Sequence, residues 1–265
     1  MAIWQAILMG LVQGCTEFLP ISSSGHLVLL DQFLHVSGHA LAFDTMLHLG
    51  TLLAVIAVYR KDLAELLRHP LSRTGRLLIA ATIPTVIIGL IFEKTFEAIF
   101  HSGATIGEEF VFTGALILYT ELQASRQREG KRALPAEALT YRGALWIGLA
   151  QGAAIMPALS RSGLTLCAAL GQGIDRKEAV RFSFLLSIPV ILGGALVQGK
   201  EWLETGGGFP PTLWIGLVAS AVSGYVAIHF FTRFIARRRL NIFGYYTLIL
   251  GTIIIIDQFV THRFF

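Results

Sequence analysis

AILMGLVQGCTEFLPISSSGHL (residues 6–27) and ALWIGLAQGAAIMPALSRSGLT (residues 144–165) are two versions of one pattern. Laid over one another at a constant offset, Gly10, Leu11, Gln13 and Gly14 fall on Gly148, Leu149, Gln151 and Gly152, while Ser22, Ser24 and Gly25 fall on Ser160, Ser162 and Gly163. Pro20 meets Pro157 with a one-residue shift, and farther along Phe43, Leu47 and Leu49 face Phe182, Leu186 and Ile188. The chain therefore reads as a duplication, roughly 1–124 and 143–260, inside a single polytopic domain covering 1–265. In each copy an apolar segment runs into a proline, then a serine cluster, then a second apolar segment. Proline disfavours helix at and before its own position, and serine is a preferred helix N-cap. Each stretch thus predicts two half-helices joined by a polar tip.

Around these stretches the composition is that of a membrane protein. Hydrophobic residues make up 54% of the 265 positions and charged residues 14%, against roughly a quarter charged in soluble domains. Apolar runs near the ~20 residues that cross a bilayer recur at 41–59, 76–92, 110–123, 182–198, 213–232 and 243–260, which predicts six spans of an all-α integral membrane protein. The first residues lack a basic leader and a small-residue cleavage site, so they read as mature protein and not as a signal peptide. A net charge of +4 does not point to nucleic acid, because the basic residues sit between spans, where membrane orientation accounts for them. Cys15 and Cys167 stand in apolar surroundings without metal-type spacing and read as inert packing residues.

The charges also orient the two hairpins. Residues 1–40 hold no Lys or Arg, whereas 60–76, 125–142, 176–181 and 233–239 hold most of the 21 basic residues and read as cytoplasmic. Both flanks of 143–174 are then inside, and both ends of 1–40 are outside. Each hairpin enters and leaves on one side, from opposite faces, giving two re-entrant hairpins in an inverted-topology repeat. Irregular backbone at membrane depth is tolerated only beside protein or a water-filled cavity, so the tips should line a cavity near the midplane, as in many transport proteins.

The tips carry Gln13, Glu17, Ser22, Ser23, Ser24 and His26 on one side and Ser160, Arg161, Ser162 and Thr165 on the other. Intramembrane ionisable groups are functional candidates. Two half-helix N-termini facing one cavity make an anion site, to which Arg161 adds a planar fork suited to phosphate oxygens. Glu17 beside a phosphate calls for a cation between them, a hard divalent metal such as Mg²⁺ or Ca²⁺. The parts add up to phosphoryl chemistry. The same residues also have structural readings: the serines as caps, His26 as a core histidine, Glu17 and Arg161 as a neutralising pair, and Asp44 with His48 as a hydrogen-bonded pair on the first span. Asp257, His35, His39 and His262 read as interfacial.

Gln13-x-x-x-Glu17 with Pro20-Ile-Ser-Ser-Ser-Gly-His26, and Pro157-Ala-Leu-Ser160-Arg161-Ser162-Gly163-Leu-Thr165, resemble the two signature motifs of the undecaprenyl-diphosphate phosphatase (bacitracin-resistance) family, and the resemblance spans the chain. It implies hydrolysis of undecaprenyl diphosphate, a membrane-borne polyprenyl diphosphate, to the monophosphate that carries peptidoglycan precursors. It also implies a divalent metal, an inner-membrane location and an active site facing the periplasm. Carried over by position, Gln13 and Glu17 match the metal and substrate motif, Ser23 and His26 the catalytic hydroxyl and imidazole, and Arg161 the phosphate-binding arginine. Ser22, Ser24, Gly25, Ser160, Ser162, Gly163 and Thr165 complete the expected substrate-binding set. Two departures stand out: Ala158 where the pattern usually has Gly, and the neutral Gln13. Either Ser23, activated by His26, or His26 itself can be the nucleophile; the half-helix N-terminus favours Ser23. The rival function is a flippase or other inverted-repeat transporter. The sequence is compatible with a homodimer and does not require one.

Overall fold

A computed structural model describes residues 1–34, 41–127, 134–204 and 208–261. The helices run α1 Ile3–Glu17, α2 Ser23–Leu34, α3 Leu41–Val58, α4 Arg60–Arg68, α5 Arg73–Ser102, α6 Ile106–Gln127, α7 Tyr141–Ala153, α8 Arg161–Leu170, α9 Arg176–Glu204, α10 Pro211–Ile235 and α11 Asn241–Ile256. Among the described residues the only strand-like feature is one isolated bridge between Leu134 and Ile174. The chain is all-helical and multi-pass. Among the described residues, four stretches are long and apolar enough to cross a membrane: Arg73–Phe92, Arg176–Glu204, Pro211–Ile235 and Asn241–Val260. A fifth is formed if α3 and α4, bent by 80° at their junction, count as one.

Several boundaries differ from the sequence expectation. The segment 60–75, read as a loop, contains α4, whose cations and exposed Leu67 make it an amphipathic helix of the interfacial kind. α5 continues to Ser102 and α6 starts at Ile106, so most of the expected 93–109 loop is helical. α6 does not pass as a span by composition, because Glu108, Glu109 and Glu121 lie along it. Two of these charges have structural work. Glu121 accepts both arms of the buried Arg176 guanidinium (2.7 and 2.6 Å) and the Leu240 N–H (3.0 Å), tying α6 to α9 and to the start of α11. Arg176 is therefore fixed in an ion pair, although the sequence reading counted it as a loop cation. Cys15 lies on an exposed face of α1 while Cys167 is in the core, so the packing role applies to Cys167 alone. Asp257 caps α11; His35, His39 and His262 lie outside the described residues.

The repeated glycines are crossing points. A Cβ on Gly10 would stand 2.6 Å from the Gly216 carbonyl oxygen of α10, and one on Gly14 would overlap Ser223 and Gly224. A Cβ on Gly148 would overlap the Ala81 backbone of α5, and one on Gly152 would stand 2.5 Å from Ile88. Small residues four apart let backbones approach closely inside membranes, and here α1 packs on α10 as α7 packs on α5. The remaining contacts keep that exchange: α3 meets α10 and α9 meets α5, while α3–α9 and α6–α11 pair helices in equivalent positions of the two halves.

Candidate active site

Each tip begins where a half-helix stops. α1 ends at Glu17 with Phe18 as C-cap, and Pro20 follows in the turn; α7 ends at Ala153 and Pro157 follows. A serine then caps the next helix. Ser22 Oγ accepts the Gly25 N–H (3.3 Å) and Ser160 Oγ accepts the Gly163 N–H (3.1 Å), the same bond in both copies. The tips differ in one respect. Ser22 sits at φ 66°, the one non-glycine with positive φ among the described residues, whereas Ser160 is extended at −77°. A left-handed non-glycine costs on the order of 1–3 kcal/mol and persists where its surroundings enforce it. Here His26 enforces it, donating Nδ1–H to the Ser22 carbonyl (2.6 Å).

The tips touch directly. Ser162 Oγ donates to the Leu19 carbonyl (2.8 Å), and Arg161 Nη2 pairs with Glu17 Oε1. Glu17 Oε2 accepts from Ser23 Oγ (2.5 Å) and from Gln13 Nε2 (3.0 Å). Around this centre lies a cavity of 320 Å³ whose walls include Glu17, Ser22, Ser23, Ser24, Ser160, Arg161 and Ser162, the N-termini of α2 and α8 among them. Arg161 engages Glu17 through one nitrogen and turns toward the cavity the rest of a fork able to hold phosphate oxygens.

Other expected residues stand elsewhere. His26 does not reach Ser23, although three residues apart on one helix predicted that they would pair. A carbonyl can only accept, so His26 Nδ1 carries the proton, and Nε2 is left to accept from Tyr246 Oη of α11 (2.7 Å), against which the ring stacks. The imidazole thus anchors the first tip. Thr165 points away from the cavity to Arg161 O (2.8 Å) and Ser183 Oγ (2.6 Å). Gly25 is a crossing point, where a Cβ would meet the Phe110 ring at 2.6 Å, and a Cβ on Gly163 would stand 3.0 Å from the Ser160 Cβ. Gln13 stands behind Glu17 and presents its NH₂ to it.

The sequence reading missed four polar cavity residues, His48, Gln151, Thr45 and Gln198. His48, read as half of a separate pair with Asp44, faces the centre: its Nδ1 is 2.9 Å from Gln13 Nε2 and 3.6 Å from Glu17 Oε2. Gln151 lines the cavity opposite; its match to Gln13 in the repeat was the available signal. Thr45 joins the wall from α3. Behind the second tip Glu109, read as a loop charge, is buried and accepts the Ala158 N–H (2.5 Å) and the Thr105 hydroxyl (2.6 Å). Ala158 needs no glycine: its φ is not positive and its methyl is buried beside Ile106 and Phe110.

A hard cation can be tested against these donors. Among the described residues no three His, Cys, Asp or Glu side chains converge, so no self-sufficient protein cage exists. Yet two buried amide oxygens, Gln13 Oε1 and Gln151 Oε1, lack a hydrogen-bond partner, and Glu17 adds a carboxylate. That set suits Mg²⁺ or Ca²⁺ completed by phosphate oxygens and water, since Mg²⁺ usually takes only one or two carboxylates.

The profile described as Bacitracin resistance protein BacA matches residues 6–253, nearly the whole chain. This chain belongs to the BacA family. Its relatives include proteins named undecaprenyl-diphosphatase in Carboxydothermus hydrogenoformans (44% identical over 260 residues, 96% of this chain and 97% of the relative) and Rubrobacter xylanophilus (41% over 267 residues, 94% and 96%). Another, undecaprenyl-diphosphatase 4 of Bacillus thuringiensis, is 43% identical over 262 residues, 98% of each chain. Both tips, 6–27 and 144–165, lie inside the matched range.

Proposed function

We propose that this chain hydrolyses undecaprenyl diphosphate to undecaprenyl phosphate and inorganic phosphate, returning the lipid carrier to peptidoglycan synthesis. The observation that carries this is the union of Ser23, Glu17 and Arg161 in one cavity at two helix N-termini, within a family whose relatives bear that substrate in their names. Ser23 Oγ attacks the terminal phosphorus while Glu17 takes its proton; the Oγ–P bond forms and the anhydride P–O bond breaks. Glu17 then gives that proton to the departing polyprenyl phosphate. In the second half Glu17 deprotonates a water that attacks the phosphoserine, and the proton returns to Ser23 as its bond to phosphorus breaks. Arg161 and the α2 and α8 N–H groups hold the equatorial oxygens. Glu17, with the amide oxygens of Gln13 and Gln151, would hold a divalent cation, whose contribution when bound is to neutralise phosphate charge.

The same reading includes six membrane-crossing segments, α6 among them, and two re-entrant hairpins. α1, α2, α7 and α8 have 15, 12, 13 and 10 residues, short of the ~20 needed to span. The Lys/Arg distribution supports halves in opposite orientations in a bacterial inner membrane, and in this reading the cavity opens to the periplasm. No feature of the site favours the transporter reading, for which a Ser–Glu pair beside an arginine is unnecessary. Purified protein in detergent, given undecaprenyl diphosphate, releases phosphate in the presence of Mg²⁺ or Ca²⁺ and stops on chelation. Absence of phosphate release under every metal condition would refute the hydrolase, and release untouched by chelator would remove the metal.

A further inference from the structure

The seam between α3 and α9 holds two cavities side by side. The first is the site just described. The second, of 620 Å³, is lined mainly by apolar side chains, Met46 and Leu49 of α3, Leu196 and Leu203 of α9, and Phe209 and Leu213 beyond. Thr45, Ala195 and Gln198 belong to the walls of both. Thr45 Oγ1 donates to Gln198 Oε1 across the seam, so a polar collar divides a phosphate-sized, charged chamber from an apolar one. α9 is also unusual along this path. Gly194 faces the first chamber and Gly199 the second, and a Cβ at either would have no atom within 4 Å. Glycine inside a helix costs about 1 kcal/mol relative to alanine, and here no helix packs close enough to need it.

From the continuity of these chambers we infer that the second is the binding groove for the lipid tail: it takes the diphosphate-proximal isoprene units, which pass the Thr45–Gln198 collar from the head group. This inference rests on the lipid-diphosphate hydrolase reading and names the other half of that substrate's site. The occupant follows from chemistry. A substrate with a charged head in the first chamber must place its chain next to it, and the adjoining chamber is mainly apolar, its charged lining residues Lys200 and Glu204 being paired with each other, where a path for water or released phosphate would be polar. Its size falls within the roughly 300–1,000 Å³ of ordinary small-ligand pockets, so it holds only the first part of a long chain and the remainder stays in the bilayer. The groove therefore adds affinity for the prenyl chain without touching the reacting atoms.

The test compares Gly199→Leu with Gly193→Leu. Both glycines have open space around them, both substitutions raise helix propensity, and Gly193 lines neither chamber. Phosphate release is measured on undecaprenyl diphosphate and on a short comparator, methyl diphosphate, which has no isoprene unit to place in the groove. For Gly199→Leu the KM for the long substrate rises about tenfold, the loss expected when roughly two methylenes lose their contacts. The short substrate's KM and kcat move less than twofold, and Gly193→Leu matches the parent on both. Parallel changes on the two substrates, or no change on either, would overturn the groove while leaving the hydrolase intact. A parent protein that cleaves neither substrate would instead remove the hydrolase reading itself, and the groove with it.

Discussion

Glu17 gathers four side chains around one carboxylate. One oxygen meets Arg161; the other takes Ser23 at 2.5 Å and Gln13 at 3.0 Å, with His48 3.6 Å away. A buried carboxylate needs such partners, because removing any one leaves charge unpaid for in a medium with few alternatives. The arrangement gives Glu17→Gln a specific consequence. The carboxamide preserves size and can still hold the Ser23 hydroxyl, but it cannot accept its proton, so kcat should fall at least about 10²-fold, the usual scale of general-base loss. Phosphate release at saturating lipid diphosphate measures this; a variant within a few-fold of the parent would take the base role away from Glu17. His26 illustrates the opposite outcome: its spacing from Ser23 suggested a catalytic pair, and the ring instead props Ser22 in a left-handed turn and stacks on Tyr246.

Among the elements, α6 carries more of the site's support than its sequence suggests. Glu109 holds the turn between Pro157 and Ser160 through the Ala158 N–H, and Thr113 accepts the Ser160 N–H at 3.3 Å, so α6 sets the position from which Arg161 starts α8. Glu109→Leu strands a buried N–H, at about 1–3 kcal/mol, and lets the second tip drift. The expected result is a lower melting temperature in detergent together with a raised KM for lipid diphosphate, and Glu109→Gln, which keeps an acceptor oxygen, recovers most of both. Equal melting of the leucine variant and the parent would show that the turn does not depend on this bond.

For the whole molecule the central feature is the exchange of partners between halves: α1 on α10 and α7 on α5, each through paired glycines. In the inverted arrangement proposed above, that exchange brings two tips from opposite membrane faces to one point. Single cysteines placed at Gly208 and at Arg238, in a background with Cys15 and Cys167 replaced by serine, check this directly. An impermeant thiol reagent should label position 208 in intact cells and position 238 only after the membrane is opened. Labelling of 238 in intact cells would defeat the inverted arrangement.

The proline–serine tips, the cap serines Ser22 and Ser160, the paired glycines and most long helices were legible because each follows from neighbours along the chain: proline removes an N–H, serine supplies an acceptor, and apolar periodicity marks a buried face. Composition alone placed the chain in a membrane. What surrounds Glu17 was not legible in the same way. Ser23 and Arg161 were visible as candidates, but their convergence on one carboxylate, the entry of His48, the departure of His26 toward Tyr246 and the burial of Glu109 depend on how each half-helix is rotated after its turn. That rotation is set by the left-handed Ser22 and by the helices packed against the tips, contacts between residues far apart in the chain, and only the tertiary structure fixes them.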